Sequence, residues 1–271
     1  MGSRILTSIH GRKLGLDHEG RLVVPKGIII GDPGTQSAVP STQQVVLFDD
    51  FTNGFQNGAT QPWLATEGTD SATSDAAILA GGIGGILRLT TGDAGTGYAA
   101  DAEQITQRTL MWQASNGNLN FETRVKLSAI TTCYAFLGFT DTVAAALEAP
   151  IVSAASANTI TTNASDAVGF MFDTNMTDDN WWLVGVKGNT DAVHQDTGYA
   201  PVADTWEVFR IELNTDGDAT FYRNGVQVGT VMADAVTAAT DLTAILTVSK
   251  LSVTASMTMD VDYVQVSMNR V

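Results

Sequence analysis

Short stretches of alternating apolar and polar residues run along the chain from about residue 45 onwards. Residues 121–127, FETRVKL, show the pattern most clearly: Phe121, Val125 and Leu127 fall on one face, with Thr123, and three charged residues fall on the other. A period of two predicts a β-strand with one buried face. Similar patterns, or stretches rich in aromatic and β-branched residues, predict further strands, at residues 86–89, 134–139, 167–172, 181–187, 207–213, 219–223, 226–231, 242–248 and 259–268. No comparable stretch has the spacing of an amphipathic helix.

Turn signals separate these strands at short intervals. Asn224-Gly225 lies between two alternating stretches, and Asn214-Thr-Asp-Gly217 precedes the first of them. Asn-Gly is a strong hairpin signal because both central residues of a type I′ turn need a positive φ. Many short strands joined by such turns predict an antiparallel sandwich or jelly roll.

Composition divides the chain into three parts. Residues 31–44, GDPGTQSAVPSTQQ, have the Pro, Gly, Ser and Gln content of a linker. Residues 1–30 contain short apolar stretches that are too small to form a stable sheet alone, so they must pack against the body or another chain. We therefore predict an N-terminal arm at 1–30, a linker at 31–44 and a β domain at 45–271.

The charge distribution follows the same division. The chain has 14 Lys and Arg against 29 Asp and Glu, a net charge of −15. Residues 1–30 nevertheless hold five basic and two acidic side chains, a net charge of +3, so a basic arm precedes an acidic body. An acidic body repels phosphate backbones and anionic lipids, which argues against nucleic-acid and membrane partners. The single cysteine, Cys133, excludes an internal disulfide.

Several segments occur in the order found in a known fold. VVLFDDF, GGILRLTTG, NFETRVKLS, AFLGFTDT, DAVGFMFDT, NWWLVGVKG and MDVDYVQVSM follow one another along the chain. Together they resemble the concanavalin A-like (laminin G-like) jelly roll over residues 45–271. The expected fold is all-β: an antiparallel jelly-roll sandwich with an extended N-terminal β arm.

The N-terminal segment SIHGRKLGLDHEGRLVVPKGIIIGD is similar to the short leaders on structural proteins of tailed bacteriophages. Such leaders attach a distal domain to a capsid or tail. The resemblance implies a capsid decoration (cement) protein on the outer capsid surface of a virion, bound to the major capsid protein and to other copies in a trimer. The residues expected to bind the capsid are Arg4, Ile5, Leu6, Arg12, Lys13, Leu22, Val23, Val24, Lys26, Ile28, Ile29 and Ile30.

Catalytic patterns are missing from the sequence. Glycoside hydrolases of this fold resemble one another through a Glu-x-Asp-x-x-Glu strand, which this sequence lacks. The nearest acidic pair, Asp260-Val-Asp262, fits the solubility of an edge strand. The glutamates, including Glu122 and Glu212, are scattered along the sequence and unpaired. We therefore predict a non-enzymatic protein.

Two binding sites are kept as candidates. Asp173, Asn175 and Asp178 lie in an acidic turn that offers oxygen ligands for one structural calcium ion, although the glycine of a calcium loop is missing. No other cofactor is predicted. Trp181 and Trp182 are candidate platforms for stacking on sugars, and as neighbours in a strand they face opposite sides, so that one is expected in the core and the other at the surface. They support the alternative function, a head or tail fibre (adhesin) module that binds host surface glycans.

Overall fold

The structure is a computed structural model. It describes residues 6–9, 12–16, 22–23, 44–57, 61–69, 74–93, 95, 97–143, 149–154, 158–252 and 255–270, the first three ranges by their backbone only. The chain divides into two compact units, Met1–Thr42 and Gln43–Val271.

The N-terminal unit contains a small antiparallel sheet of three strands, β1 (Leu6–Ile9), β2 (Arg12–Leu16) and β3 (Leu22–Val23). Leu6, Arg12, Lys13, Leu22 and Val23 of the predicted capsid-binding set lie in these strands. The remaining members lie outside the described residues: Arg4, Ile5, Val24, Lys26, Ile28, Ile29 and Ile30. The predicted linker also falls outside them, except for its last residue, so the three-part division stays a prediction.

The second unit is built from strands, with one short 3₁₀ turn at Ala114–Asn116 as the one helical segment among its described residues. None of the described helical residues form a segment that is long and apolar enough to span a bilayer. The strands are β4 (Gln44–Asp49), β5 (Trp63–Glu67), β6 (Asp75–Ile78), β7 (Leu87–Thr90), β8 (Ala102–Gln107), β9 (Leu119–Leu127), β10 (Cys133–Thr140), β11 (Ile151–Ser153), β12 (Ile160–Thr162), β13 (Ala167–Asp173), β14 (Trp181–Lys187), β15 (Thr190–Asp191), β16 (Gln195–Asp196), β17 (Glu207–Leu213), β18 (Ala219–Arg223), β19 (Val226–Met232), β20 (Thr243–Lys250) and β21 (Thr258–Asn269).

These strands form two large antiparallel sheets. Sheet I has the order β15-β14-β13-β10-β20-β8-β5, with β16 also paired to β14. Sheet II has the order β19-β18-β17-β9-β21-β7-β6, with β4 also paired to β21. The predicted jelly-roll sandwich is confirmed. The Asn224-Gly225 hairpin is confirmed as well, since both residues have a positive φ, 50° and 79°.

The main hydrophobic core lies between the two sheets. The alternation in β9 and β17 buries one residue in two along each strand. Aromatic side chains fill the centre, where the rings of Phe170 and Trp181 lie 4.8 and 4.6 Å from that of Phe209. The predicted alternation therefore faces the core, as expected for a half-buried antiparallel strand.

A second hydrophobic cluster covers the outward face of sheet I. The hairpin β11–β12 contributes Ile151 and Val152, which are buried with Phe136, Met171 and Trp182 of the sheet. The sequence shows this region only as a polar insert between two strands. In the structure it closes one side of the sandwich.

Candidate functional site

The outward face of sheet I is closed over β13. The outward positions of that strand are Ala167, Gly169 and Met171, and all three residues are buried. The first carboxylate on the outward face of β13 is Asp173, the last residue of the strand. β13 therefore carries an apolar row beneath the hairpin rather than a row of acidic side chains.

Asp173 is held by groups of the protein itself. Its carboxylate accepts hydrogen bonds from the hydroxyl of Tyr98 (2.8 Å), the backbone N–H of Ser153 (2.9 Å) and that of Asn175 (2.9 Å). Burial raises the pKa of Asp173 above its ordinary range, while these hydrogen bonds act in the opposite direction.

The candidate calcium ligands are only partly brought together. Asn175 donates its side-chain amide to the oxygen of Tyr98 at 3.0 Å, beside Asp173, whereas Asp178 is exposed on the following turn. Within the described ranges, no group of three or more His, Cys, Asp or Glu side chains is arranged to hold a metal ion. The calcium site stays a prediction.

The two candidate stacking tryptophans are both buried. Trp181 is fully buried between the sheets, and Trp182 is 4% exposed beneath the hairpin. The sequence predicts one of them at the surface, but the outward face of β14 is covered by the second hydrophobic cluster. Neither indole offers a free ring face to a sugar.

The outward face of sheet II is open and polar. Two rows of side chains cross the adjacent strands β21, β9, β17 and β18, because residues in register on antiparallel strands point to the same face. The first row is Ser267, Asn120, Glu212 and Thr220. The second row is Gln265, Glu122, Arg210 and Tyr222.

Two adjoining cavities of about 420 and 230 Å³ lie along these rows, and both are lined by Asn120 and Glu212. We call them together the amide–carboxylate groove. Its other lining residues are Gly117, Asn118, Glu122, Arg210, Leu213, Asn214, Thr215, Asp218, Thr220, Val231, Gln265, Ser267 and Asn269.

Two glutamates face each other diagonally in this groove. Glu122 lies opposite Arg210, and Glu212 lies opposite Asn120, so the carboxylates occupy diagonal positions on neighbouring strands. Such positions are roughly 7–8 Å apart. In the sequence these glutamates look unpaired because 90 residues separate them, and only the pairing of β9 with β17 brings them together.

Tyrosine hydroxyls orient both carboxylates. The hydroxyl of Tyr263 donates to Oε1 of Glu122 at 2.7 Å, and that of Tyr222 donates to Oε2 of Glu212 at 3.1 Å. Arg210 forms an ion pair with Glu212 at 3.1 Å. Over the ranges that the structure describes, Glu122 has no ion-pair partner. Burial and the hydrogen bond to Glu122 raise the pKa of Tyr263.

Aromatic rings flank the groove on both sides. Phe48, which is 46% exposed, stacks on Tyr263 with 5.9 Å between ring centroids. On the other side, the guanidinium of Arg210 lies 4.1 Å from the ring centre of Tyr222. Sugar rings commonly pack on such exposed or half-exposed aromatic surfaces, because sugars are apolar on their faces and polar at their edges.

Asp260 and Asp262 correct a further expectation. They lie in β21, which is an interior strand of sheet II rather than an edge strand. Asp260 is buried between Arg88 (2.7 Å) and Lys126 (3.1 Å), and Asp262 pairs with Arg124 (2.7 Å). Burial alone would raise the pKa of Asp260, but its two cations outweigh burial and lower it. The pair therefore serves sheet structure rather than solubility.

Comparison with known proteins shows a likeness in fold alone. No family model and no curated protein sequence matches the chain. Among solved structures it is similar to an endo-1,3-β-glucanase from Streptomyces sioyaensis, with 15% identity, 84% of this chain and 97% of that chain covered, and a TM-score of 0.55. It is also similar to a β-glucanase of Bacillus licheniformis (10%, 82% and 97%, 0.51) and to a protein of unknown function from Shewanella oneidensis (15%, 84% and 88%, 0.52).

These comparisons overturn two predictions. Several of the similar structures are glycan-degrading enzymes, among them an endo-acting O-glycanase and a lichenase. The predictions of a capsid decoration protein and of a chain without enzymatic activity are therefore wrong, since these similar structures are enzymes that act on glycans. The predicted partners, trimeric state and virion location stay untested. The concanavalin A-like jelly roll is confirmed as the fold of the second unit over its described residues.

Proposed function

We propose that this chain is a carbohydrate-active protein that binds a glycan along the amide–carboxylate groove of sheet II. The observation that carries the proposal is the double row of amide, hydroxyl and carboxylate side chains between two aromatic flanks. Such groups match the donors and acceptors of sugar hydroxyls, and the rings match the apolar faces of a sugar. The likeness in fold to β-glucanases supports a glycan as the ligand.

The geometry of the groove suits an extended ligand. From Phe48 to Tyr222 the second row crosses four strand spacings, which amounts to roughly 19 Å at about 4.8 Å each. An oligosaccharide of several units fits this length better than a single sugar. The residues at the centre, Asn120 and Gln265, offer amide groups that both donate and accept hydrogen bonds.

Titration of the full chain with neutral β-glucan oligosaccharides in a calorimeter tests this proposal. We expect saturable binding, and we expect Asn120→Ala and Gln265→Ala each to weaken it roughly tenfold through the loss of hydrogen bonds. Thr161→Ala, on the exposed face of the hairpin over sheet I, is the matched control and should bind like the parent chain. Binding that is indifferent to Asn120 and Gln265 would place the ligand elsewhere.

Hydrolysis is a second candidate, favoured by the diagonal glutamates. Their backbone positions lie roughly 7–8 Å apart, and inverting glycosidases use two carboxyl groups about 6.5–9.5 Å apart as general acid and general base with water between them. Glu122, which has no ion-pair partner among the described residues, and Glu212 would share the roles of general acid and general base.

Release of reducing ends from β-glucan measures this activity. We expect Glu122→Gln and Glu212→Gln each to reduce it at least about a hundredfold, because either change removes a proton-transfer group. Asp179→Asn, which removes the same charge from an exposed turn of sheet I, should have no effect. If the parent chain binds glycans but releases no reducing ends, the binding proposal stands and the hydrolytic one fails.

A further inference from the structure

The charges that line the amide–carboxylate groove do not balance. Glu122, Glu212 and Asp218 contribute three carboxylates, whereas Arg210 contributes the one cation among the described lining residues. That guanidinium is already engaged, since it pairs with Glu212 and lies over the ring of Tyr222. The groove therefore presents an excess of two negative charges to its ligand.

The excess charge is concentrated at two positions. Glu122 is oriented by the Tyr263 hydroxyl and has no ion-pair partner in the described ranges. Asp218 accepts hydrogen bonds from the backbone N–H of Asp234 (2.9 Å) and from the amide of Asn214 (2.9 Å), and these bonds lower its pKa. Asp218 thus stays ionised to more acidic pH than an ordinary aspartate.

The rest of the body reinforces this local field. Residues 45–271 contain nine basic and 26 acidic side chains, a net charge of −17. A concave surface of one sign concentrates ligands of the opposite sign and repels ligands of its own sign. Glycans that carry carboxylates or sulfates are therefore disfavoured both at a distance and at contact.

We infer that the groove selects glycans that carry free amino groups, such as polymers of unacetylated hexosamine, over neutral and anionic glycans of the same backbone. The inference rests on the proposed function and specifies its ligand class. A protonated amine on one sugar would pair with Glu122, while the amides beside it bind neighbouring hydroxyls. An ion pair of this kind in a half-buried groove is stronger than a fully exposed pair, because less water screens the two charges.

Two hexasaccharides with one backbone provide the test. β-1,4-linked glucosamine hexamer and its fully N-acetylated form differ in the charge of the nitrogen, and both are titrated into the full chain at about pH 5.5 and low ionic strength. We expect the amino form to bind roughly five- to tenfold more tightly, with the difference shrinking in about 0.5 M salt because screening weakens exposed charges. Asp179→Asn should keep this preference.

Glu122→Gln is the decisive variant because it removes the charge and keeps an acceptor for the Tyr263 hydroxyl. It should bring the preference to about twofold or less, because the amino hexamer loses its ion pair with this carboxylate. Equal affinity of the parent chain for both hexamers, or tighter binding of a carboxylated glycan, would overturn the inference and leave the proposed function standing. If neutral and charged glycans alike fail to bind, both are lost.

Discussion

Glu103 shows how a single residue can make the stability of this protein depend on pH. Its side chain is fully buried in β8, and neither carboxylate oxygen has a hydrogen-bond partner among the described residues. Glu67 lies directly opposite on β5, and Asp75 adds to the negative field. Burial is the largest cause and the two neighbouring carboxylates are smaller ones, and together they raise the pKa of Glu103 to about 9. The folded chain therefore holds a proton that the unfolded chain has already lost near neutral pH.

The sign of the effect follows from proton linkage. Between the ordinary pKa of 4.5 and the folded value of about 9, the folded state binds more protons at this site, so stability falls as pH rises. We expect Glu103 to contribute a loss of at most about 1.4 kcal/mol per pH unit in this window. Glu103→Gln should flatten the decline and stabilise the protein at about pH 8.

Urea unfolding at about pH 5, 7 and 9 measures this prediction. Asp179→Asn is the control: its side chain is exposed and it is not among the groups that raise the pKa of Glu103, so it should leave the slope unchanged. An equally steep decline in the Glu103→Gln variant would assign the pH dependence to the general negative charge of the body instead.

At the scale of the elements, the sequence predicted the strands but not how they cover one another. The sequence located β9, β14, β17 and β18 to within two residues, β9 and β17 by their alternation, β14 by its aromatic and β-branched residues and β18 by the turn signals on either side. The hairpin β11–β12 escaped detection, since its short apolar stretches are diluted by polar residues. The strand that it covers, β13, has two buried faces.

The sequence also did not reveal on which face of sheet II Tyr263 lies. A register shift in β21 between Val261 and Tyr263 places both Asp260 and Tyr263 on the outward face, although strict alternation would separate them. Thr123 donates its hydroxyl to the carbonyl of Tyr263 at this point, at 2.7 Å. The tyrosine that orients Glu122 thus depends on an irregularity that periodicity does not reveal, so the candidate site could not be assembled from the sequence.

Close strand packing beneath the hairpin gives a prediction for Gly169. It pairs with Gly138 on β10, and a Cβ at Gly169 would lie 2.6 Å from the Phe136 ring and 2.7 Å from the carbonyl oxygen of Leu137. We expect Gly169→Ala to lower stability by about 1–3 kcal/mol through overpacking, measured by thermal unfolding. Adding Phe136→Leu should recover part of the loss. A variant as stable as the parent chain would mean that the Phe136 ring and the neighbouring backbone of β10 yield readily to the added methyl group.

For the whole molecule, the described parts of both hydrophobic clusters lie within Gln43–Val271. We therefore expect a chain of residues 43–271 to unfold cooperatively at a midpoint close to that of the full chain, and to bind β-glucan oligosaccharides with unchanged affinity. Differential scanning calorimetry and titration calorimetry measure the two outcomes. Loss of the cooperative transition would show that residues 1–42 belong to the same folding unit.

The central position of β21 has a consequence for the order of events during synthesis. This strand pairs with β9 along one side and with β7 and β4 along the other, so the earliest and the middle strands of sheet II meet through it. Residues 258–269 leave the ribosome after every other strand of that sheet. Until they emerge, β4 lacks the strand with which it pairs and β7 is paired with β6 alone, so the early strands cannot be joined to β9. Sheet II should therefore be completed late, after β9, β17, β18 and β19 have had time to pair, because β4 and β7 join them only through β21.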